Sequence, residues 1–235
     1  MAVRWRGEGA QHQGSRPYQE DSWAVRRLTD DTVLAVLADG MGGHVGGATA
    51  SRLAVGGFVM AIENGRSLAE ALDAANQAIG TAVAGDSRLE SMGSTLVAVV
   101  VSAAEVRWIS VGDSPLFLLS NGRLERLNAD HSMVPQIEAL VARGIITAEE
   151  AAQHPGRHTL REAVMGNPLT LIDEGRRALA AGDQLLVCSD GVLTLEEADI
   201  AREAGKPVQG LIDAVLAEGA PRQDNVTIIK LEQEV

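Results

Sequence analysis

Acidic side chains stand at the ends of five apolar segments of this chain, where folding can bring them together. The apolar run VLAVLA is followed at once by Asp39, and the run QLLVCS is followed by Asp190. A carboxylate at the end of a buried strand costs solvation free energy unless a positive charge pairs with it. The acidic positions are Glu20-Asp21, Asp39, Asp113, Asp190 and Asp224.

A cluster of these carboxylates predicts a divalent metal site. Converging carboxylates cannot all stay ionised without a counter-charge, and the sequence places no basic run beside them, only Arg16 near the first pair. With 5 His and 1 Cys in the chain, oxygen ligands dominate. Such a donor set favours a hard cation, Mg²⁺ or Mn²⁺, over zinc.

A glycine-rich segment follows Asp39, with glycines at positions 40, 42, 43, 46 and 47. Glycine at that density lets a backbone approach a ligand closely. Taken alone, the segment is equally well explained as a tight strand-to-helix turn with an incidental Asp. The repetition of the pattern in the other acidic segments favours the metal site.

The composition indicates an acidic globular protein. No stretch of the 235 residues resembles a linker, so we expect one domain over residues 1–235. A net charge of −12 argues against nucleic acid and anionic membranes as partners. The N-terminus lacks the apolar core of a signal peptide, and no apolar run is long enough to span a membrane. The single cysteine, Cys188, suits a reducing cytoplasm and is interpreted as an inert packed thiol.

The first half of the chain is predicted to form an antiparallel strand pair and two helices. Asn64-Gly65 would end the first helix, and Ser67 would be the N-cap of the second. The predicted elements are an extended lead-in over 1–15, strands at 22–26 and 32–38, and helices at 47–63 and 68–83.

Short turns in the second half indicate antiparallel pairing. Asn121-Gly122 is a strong hairpin signal, and strands joined by turns this short must be antiparallel. Thr147 with Glu150 three residues later is a capping box that begins the second helix of a helix-rich insertion. We therefore predict two antiparallel sheets packed face to face with paired helices outside, and the hairpins disfavour the alternative of parallel βα winding. The predicted segments are strands at 96–102, 106–111, 116–119, 123–127, 184–189 and 225–231, a segment at 179–182, and helices at 134–143, 147–153, 195–203 and 208–218.

With these residues in view, the chain resembles the metal-dependent serine/threonine protein phosphatases of the PPM (type 2C) family, in its bacterial branch. Each motif is weak by itself because Asp-Gly pairs are common, but seven occur in the family's order over nearly the whole chain. The insertion, at about 132–160, is similar to the family's flap segment. The motifs are Arg16…Glu20-Asp21, Asp39-Gly40-Met41-Gly42-Gly43-His44, Gly93-Ser94-Thr95, Gly112-Asp113-Ser114, Asp130-His131-Ser132, Ser189-Asp190-Gly191 and Asp224-Asn225.

The resemblance implies an α+β fold, a four-layer α/β/β/α sandwich with the metal ions in a cleft between the sheet ends. By match of motif, Asp39 would bridge two ions, Mn²⁺ or Mg²⁺. Asp190 and Asp224 would complete the ligands of one ion, while Glu20 and the Gly40 carbonyl would hold the other.

Three further residues take roles by the same match of motif. Asp113 corresponds to a residue that, with Asp190, holds a third ion in bacterial members. Asp21 would orient a metal-bound water from outside the ligand set. Arg16 would clamp the substrate phosphate with its planar fork.

The chain departs from the family at several positions that are not metal ligands. Gln19, Ala48 and Pro115 replace the usual Asn, Glu and Arg, and we interpret them as tuning, although Pro115 could alter the strand after Asp113. Met41 stands where animal members have a His credited as general acid. His44 is the nearest His in sequence, and hydrogen bonding within the glycine loop is a better interpretation of it than catalysis.

Other polar residues near the motifs are interpreted as structural. Ser94 and Ser189 lack an evident paired base, so each is expected to be a structural hydroxyl rather than a nucleophile. His154 and His158 are expected at the surface of the flap rather than on a metal. His131 is expected to fix its own turn.

These features together predict a cytoplasmic bacterial phosphatase that hydrolyses phosphoserine and phosphothreonine on proteins by attack of a metal-bridging water. It would oppose a serine/threonine kinase, and a monomer is the working expectation. One alternative is a catalytically silent regulator that binds phosphoproteins, although such relatives usually lose metal carboxylates. Another is a phosphatase for small phosphate esters, which the flap insertion and the lack of a closed basic pocket disfavour.

Overall fold

The fold consists of two antiparallel sheets packed face to face and covered by helices on both outer sides, in a computed structural model that describes residues 4–43 and 45–234. This is the predicted α+β, four-layer α/β/β/α arrangement, so the fold class is confirmed. No helix in the described part of the chain is long and apolar enough to cross a membrane.

The first sheet contains the strand that ends at Asp39. Its strands run in the order β2-β3-β5-β6-β9, all antiparallel, and the short strand β4 also pairs with β3. The central strand β3 is buried on both faces, as its unbroken apolar run predicts. The bounds are β2 Asp21–Arg27, β3 Val33–Met41, β4 Gly93–Ser94, β5 Leu96–Ser102, β6 Glu105–Val111 and β9 Asp173–Ala178.

The second sheet joins the two ends of the sequence. Its order is β1-β11-β10-β7-β8, so β11 lies between β1 and β10. Strands β7 and β8 form the predicted hairpin, and Asn121 and Gly122 both have positive φ, at 50° and 76°. The bounds are β1 Trp5–His12, β7 Leu116–Ser120, β8 Arg123–Arg126, β10 Gln184–Cys188 and β11 Val226–Gln233.

Helices cover each sheet in a pair, and two more form the insertion. Helices α1 and α2 pack on the first sheet, α5 and α6 pack on the second, and α3 and α4 belong to the insertion. Thr147 forms the predicted capping box with Glu150, and Ser67 is the predicted N-cap, which also forms a capping box with Glu70. The bounds are α1 Val45–Glu63, α2 Leu68–Gly85, α3 Val134–Ala142, α4 Ala148–Ala152, α5 Glu197–Glu203 and α6 Val208–Ala217, with 3₁₀ turns at Ser87–Leu89 and Asp190–Thr194.

Three apolar cores hold the layers together. The central core lies between the sheets and includes Trp5, Leu37, Val99, Leu185 and Ile229, all fully buried. The other two lie between each sheet and its helix pair. Burying one Val, Leu or Ile side chain stabilises the fold by about 1.5–3 kcal/mol, so the layers provide a firm support for the strand ends.

Three strands were not predicted, and one of them is the two-residue strand β4. The lead-in over 1–15 contains a regular strand, β1, and β9 falls in a segment without strand signal. In β1, Gly9 packs so tightly on Trp23 that a Cβ at this position would lie 2.6 Å from the indole ring. Glycine therefore occupies a position where the sequence pattern of a strand would show an apolar side chain. The edge strand β9 has the sequence DEGRRA and is mostly exposed. It therefore lacks the alternation of apolar and polar residues by which a half-buried strand is predicted.

Candidate metal centre

Strand pairing places two of the predicted acids opposite each other. Asp21 and Asp39 are direct partners in the antiparallel pair of β2 and β3. Like charges in that position destabilise a sheet. The backbone of Asp39 is held firmly, because its N–H donates to Thr95 Oγ1 (3.0 Å) and its carbonyl accepts from Ser94 Oγ (2.8 Å) and the Thr95 N–H (2.9 Å).

A cleft of about 620 Å³ opens at this end of the sheets. All the residues predicted to bind metal line it, together with the predicted phosphate ligand. They are Glu20, Asp39, Gly40, Asp113, Asp190, Asp224 and Arg16. The opposite wall comes from the end of the flap, His158 to Ala163 and Met165.

Gly40 occupies a position in the cleft where no side chain fits. A Cβ at this residue would stand 2.1 Å from the carbonyl oxygen of Gly47 and 2.6 Å from that of Glu20. The Gly40 N–H also donates to the Glu20 carbonyl at 3.2 Å. The end of β3, the start of α1 and the Glu20 backbone therefore meet at van der Waals distance beside Asp39.

Burial raises the pKa values of three acids in the cleft, Asp39, Asp113 and Asp190. Burial, with the charges of Asp21 and Asp190, raises the pKa of Asp39 well above its usual range. Burial and the Asp224 charge raise the pKa of Asp190, and a hydrogen bond with Asp39 opposes the rise. Burial raises the pKa of Asp113 to about 7, and the charge of Asp190 adds to the effect. A charge cluster of this kind requires either protons or a cation.

Asp21 lies behind the cleft rather than on its surface. Its Oδ2 accepts hydrogen bonds from Ser189 Oγ (2.9 Å) and Thr227 Oγ1 (2.6 Å). Burial raises its pKa to about 7, although these two hydroxyl groups oppose the rise. It is therefore placed to act on the cleft through Asp39, its partner across the strand pair.

Arg16 is the counter-ion of Asp224 in this structure. Its Nη2 lies 2.5 Å from Asp224 Oδ2, and about half of the Arg16 side chain is exposed. Among the described residues, no three His, Cys, Asp or Glu side chains stand close enough together to hold one metal ion.

The donor set nevertheless fits a hard divalent cation. The predicted ligands that line the cleft are carboxylates and a glycine carbonyl, the oxygen ligands that Mg²⁺ and Mn²⁺ prefer. The Oδ1 atom of Asp190 is buried and accepts no hydrogen bond from any residue that the structure describes. A buried carboxylate oxygen without a donor is the kind of ligand that a cation would satisfy.

Among the other polar residues, the structure agrees with the predictions for two serines and disagrees with the prediction for one histidine. Ser94 and Ser189 are fully buried and donate hydrogen bonds to Asp39 and Asp21, consistent with structural hydroxyls. The prediction for His131 is wrong: its Nδ1 accepts from the Gly112 N–H at 3.2 Å, so it ties the flap to the Asp113 loop instead of its own turn. Asp130 fixes that turn, because its Oδ1 accepts from the Ser132 N–H (2.8 Å).

Four further positions complete the comparison with the sequence predictions. His154 and His158 are exposed as predicted, but His158 also lines the cleft. The expectation for His44 lies outside the described residues. Pro115 leaves the next strand regular, since its carbonyl accepts from the Cys188 N–H at 3.0 Å and β7 pairs with β10 from Leu116 onward.

The family model of protein phosphatase 2C matches residues 8–214 of the chain. The chain belongs to the protein phosphatase 2C family. The resemblance drawn from the seven motifs is thus confirmed, and the protein phosphatase 2C match includes every residue that lines the acidic side of the cleft except Asp224 and Asn225.

Bacterial members of the protein phosphatase 2C family are similar along nearly all of the chain. "Serine/threonine protein phosphatase PstP" of Mycobacterium tuberculosis is 35% identical over 231 residues, which cover 90% of this chain, and the chain spans about 43% of the length of that relative. "Serine/threonine phosphatase stp" of Listeria monocytogenes is 29% identical over 235 residues, with 94% of this chain and 92% of the relative covered. A crystal structure of the PstP catalytic domain in complex with two manganese ions superposes with a TM-score of 0.81 at 30% identity, covering 99% of this chain and 100% of that one.

Proposed function

We propose that this chain is a metal-dependent protein phosphatase that hydrolyses phosphoserine and phosphothreonine esters. The observation that carries the proposal is the cleft in which acidic side chains with raised pKa values lie beside the guanidinium group of Arg16. The names of the bacterial relatives and the two manganese ions of the PstP structure support it.

The residues proposed to hold metal are those of the family match. Asp39 would be shared by two ions, Asp190 and Asp224 would belong to one of them, and Glu20 with the Gly40 carbonyl would belong to the other. Two divalent ions in such a site lower the pKa of a water molecule and stabilise negative charge at phosphorus. A third ion at Asp113 and the choice between Mn²⁺ and Mg²⁺ are finer parts of the proposal.

The chain's own residues contribute charge, shape and order. Arg16 would receive the phosphate bidentately, which fixes the orientation of the ester. Ser189 and Thr227 hold the Asp21 carboxylate in place behind Asp39, so the Asp21 charge stays fixed beside the proposed shared ligand. The wall of the cleft formed by residues between His158 and Met165 lies opposite the acidic side chains. It would cover the part of the cleft that receives the phosphorylated peptide.

The wider assignment follows from the same function. We propose that residues 1–235 form one catalytic domain with a flap insertion at about 132–160, acting as a monomer in the cytoplasm on phosphoproteins. It would oppose a serine/threonine kinase by removing the phosphate groups that the kinase adds. A silent phosphoprotein-binding regulator would be expected to lack metal carboxylates, and here Glu20, Asp39, Asp190 and Asp224 are all present.

The test is metal removal and return. Protein dialysed against EDTA should not hydrolyse a phosphothreonine peptide, and added Mn²⁺ should restore turnover. An Asp39→Asn variant should stay inactive at saturating Mn²⁺. A protein that binds the phosphopeptide but never releases phosphate would contradict the proposal, and hydrolysis of small aryl phosphates without any of peptides would favour the small-ester alternative.

A further inference from the structure

Asn225 is a buried amide beside Asp224, and all of its side-chain bonds go to one loop. Its Nδ2 donates to the carbonyl oxygens of Gln13 (2.8 Å) and Tyr18 (2.9 Å), and its Oδ1 accepts from the Glu20 N–H (2.7 Å). Only 4% of the residue is exposed. Asn225 therefore anchors the start, the middle and the end of the segment between β1 and β2.

The same loop makes backbone contacts with the neighbours of Asn225. The Ser15 N–H and Oγ both donate to the Gln223 carbonyl, at 2.9 and 3.0 Å. Gly14 has a φ of +64°, and a Cβ there would lie 2.2 Å from the Asp224 carbonyl oxygen. The loop thus lies directly on residues 223–225, with space for no side chain between them.

This loop contains both Arg16 and Glu20 but no helix or strand. The loop therefore has no backbone hydrogen bonds of a sheet to fix its side chains. The contacts with residues 223–225 take that place. Arg16 is further held by a hydrogen bond from Gln13 Nε2 to its carbonyl (2.6 Å). The position of the guanidinium group relative to Asp224 depends on the anchoring of the loop.

We propose that Asn225 is a positioning residue that sets Arg16 and Glu20 against Asp224. The inference rests on the proposed function for its catalytic consequence, and on the loop contacts alone for its structural one. Because its amide is fully used by the loop, Asn225 acts on the phosphate through Arg16 and on the metal through Glu20. Misplacing a catalytic group by about 1 Å can cost about a hundred-fold in rate.

The decisive measurement is a double-mutant cycle on kcat/KM with a phosphothreonine peptide. Asn225→Ala should lower kcat/KM by about a hundred-fold. If it acts through Arg16, then Arg16→Ala should cost at least ten-fold less in the Asn225→Ala background than in the wild type. Losses that simply multiply would overturn the positioning role.

A second readout does not depend on activity. Amide hydrogen exchange of residues 13–20 should accelerate in Asn225→Ala and in Asn225→Asp, which keeps the shape and the Glu20 bond but loses the two donated bonds. Unchanged exchange in both variants would also overturn the inference. If Asn225→Ala does not fold, Asn225→Asp replaces it in both the double-mutant cycle and the hydrogen-exchange test.

Asn76→Ala is the matched control. Asn76 also bridges distant segments, donating to the Asn167 carbonyl (2.6 Å) and accepting from the Gly166 N–H (2.8 Å), and neither it nor these partners line the cleft. It should leave the exchange of residues 13–20 and the cost of Arg16→Ala unchanged. If wild-type protein with Mn²⁺ hydrolyses no phosphopeptide, the proposed function fails, and the exchange data still decide whether Asn225 anchors the loop.

Discussion

Asp21 and Asp39 face each other across β2 and β3, and Asp190 approaches Asp39 from the other sheet. At the scale of residues, burial raises the pKa values of Asp21, Asp39 and Asp190, and the charges of neighbouring carboxylates add to the rise. Arg16 neutralises Asp224 at the edge alone. The central charges therefore remain for a divalent cation to balance.

The first prediction concerns the shared ligand. Asp39→Asn and Asp190→Asn remove a charge with little change in shape, so we expect turnover of a phosphopeptide to fall by orders of magnitude. Asp183→Asn is the control, since Asp183 is a buried carboxylate that accepts a hydrogen bond from the Ala180 N–H (2.8 Å) and does not line the cleft. Near wild-type turnover of either cleft variant at saturating Mn²⁺ would remove that residue from the metal ligands.

The second prediction concerns the Arg16–Asp224 pair, in which the arginine would compete with the proposed cation for one carboxylate. Arg16→Ala should therefore bind Mn²⁺ more tightly, by about two- to five-fold, the range expected for an exposed ion pair. The same variant should bind inorganic phosphate more weakly, because the bidentate donor is lost. Calorimetry of both ligands measures these opposite changes.

Arg177→Ala is the control for the second prediction. Arg177 pairs with Glu125 at 2.9 Å, is exposed to a similar degree and lies outside the cleft. It should change neither affinity. If Arg16→Ala weakened Mn²⁺ binding, Arg16 would be supporting the metal ligands instead of competing with the ion.

At the scale of elements, the packing of α1 on α2 supports the strand that ends at Asp39. Helix α1 contains two adjacent glycines with different surroundings. A Cβ at Gly56 would meet nothing within 4 Å, whereas a Cβ at Gly57 would lie 3.1 Å from Ala75 Cα and 3.2 Å from the Ala74 carbonyl oxygen. The close contact of the two helices therefore depends on one of the two glycines.

The third prediction uses this pair. Gly56→Ala should raise the free energy of unfolding by about 0.5–1 kcal/mol, because glycine is unfavourable inside a helix. Gly57→Ala should lower it, because the backbone of α2 has to move. Thermal or urea unfolding of the two variants measures the difference, and equal effects of the same sign would contradict the packing argument.

At the scale of the whole molecule, the cleft makes folding sensitive to protons and to metal. The raised pKa values of Asp21 and Asp113, both about 7, mean that the metal-free native state binds more protons than the unfolded chain between pH 4 and 7. The free energy of unfolding of metal-free protein should therefore decrease as the pH rises through 7.

The fourth prediction compares this dependence with and without Mn²⁺. The midpoint of thermal unfolding of metal-free protein should be several degrees lower at pH 8 than at pH 5.5, and Asp113→Asn should reduce the difference. Saturating Mn²⁺ at pH 8 should raise the midpoint by about 5 °C or more. A metal-free midpoint that rises with pH would show that the carboxylates are not buried as described.

Much of the fold and the acidic side of the site could be predicted from sequence, for physical reasons. Unbroken apolar runs ending in Asp-Gly identify buried strands, and the hairpin and capping signals are local. The strand β1, the anchoring by Asn225 and the bond of His131 to Gly112 could not be predicted in this way. Each depends on partners that are distant in sequence, and no local periodicity reports such contacts.

The place of β11 between β1 and β10 has a consequence for biosynthesis. Trp5 pairs with Gln233, so β1 cannot form its strand pair during translation until β11 has been synthesised. Strand β10 lacks the same neighbour until then. Pairings this far apart in sequence also slow folding. Because Asp224 immediately precedes β11, the acidic cleft is completed in the same step that closes these two open edges. A nascent chain therefore cannot complete the acidic cleft before the second sheet can form.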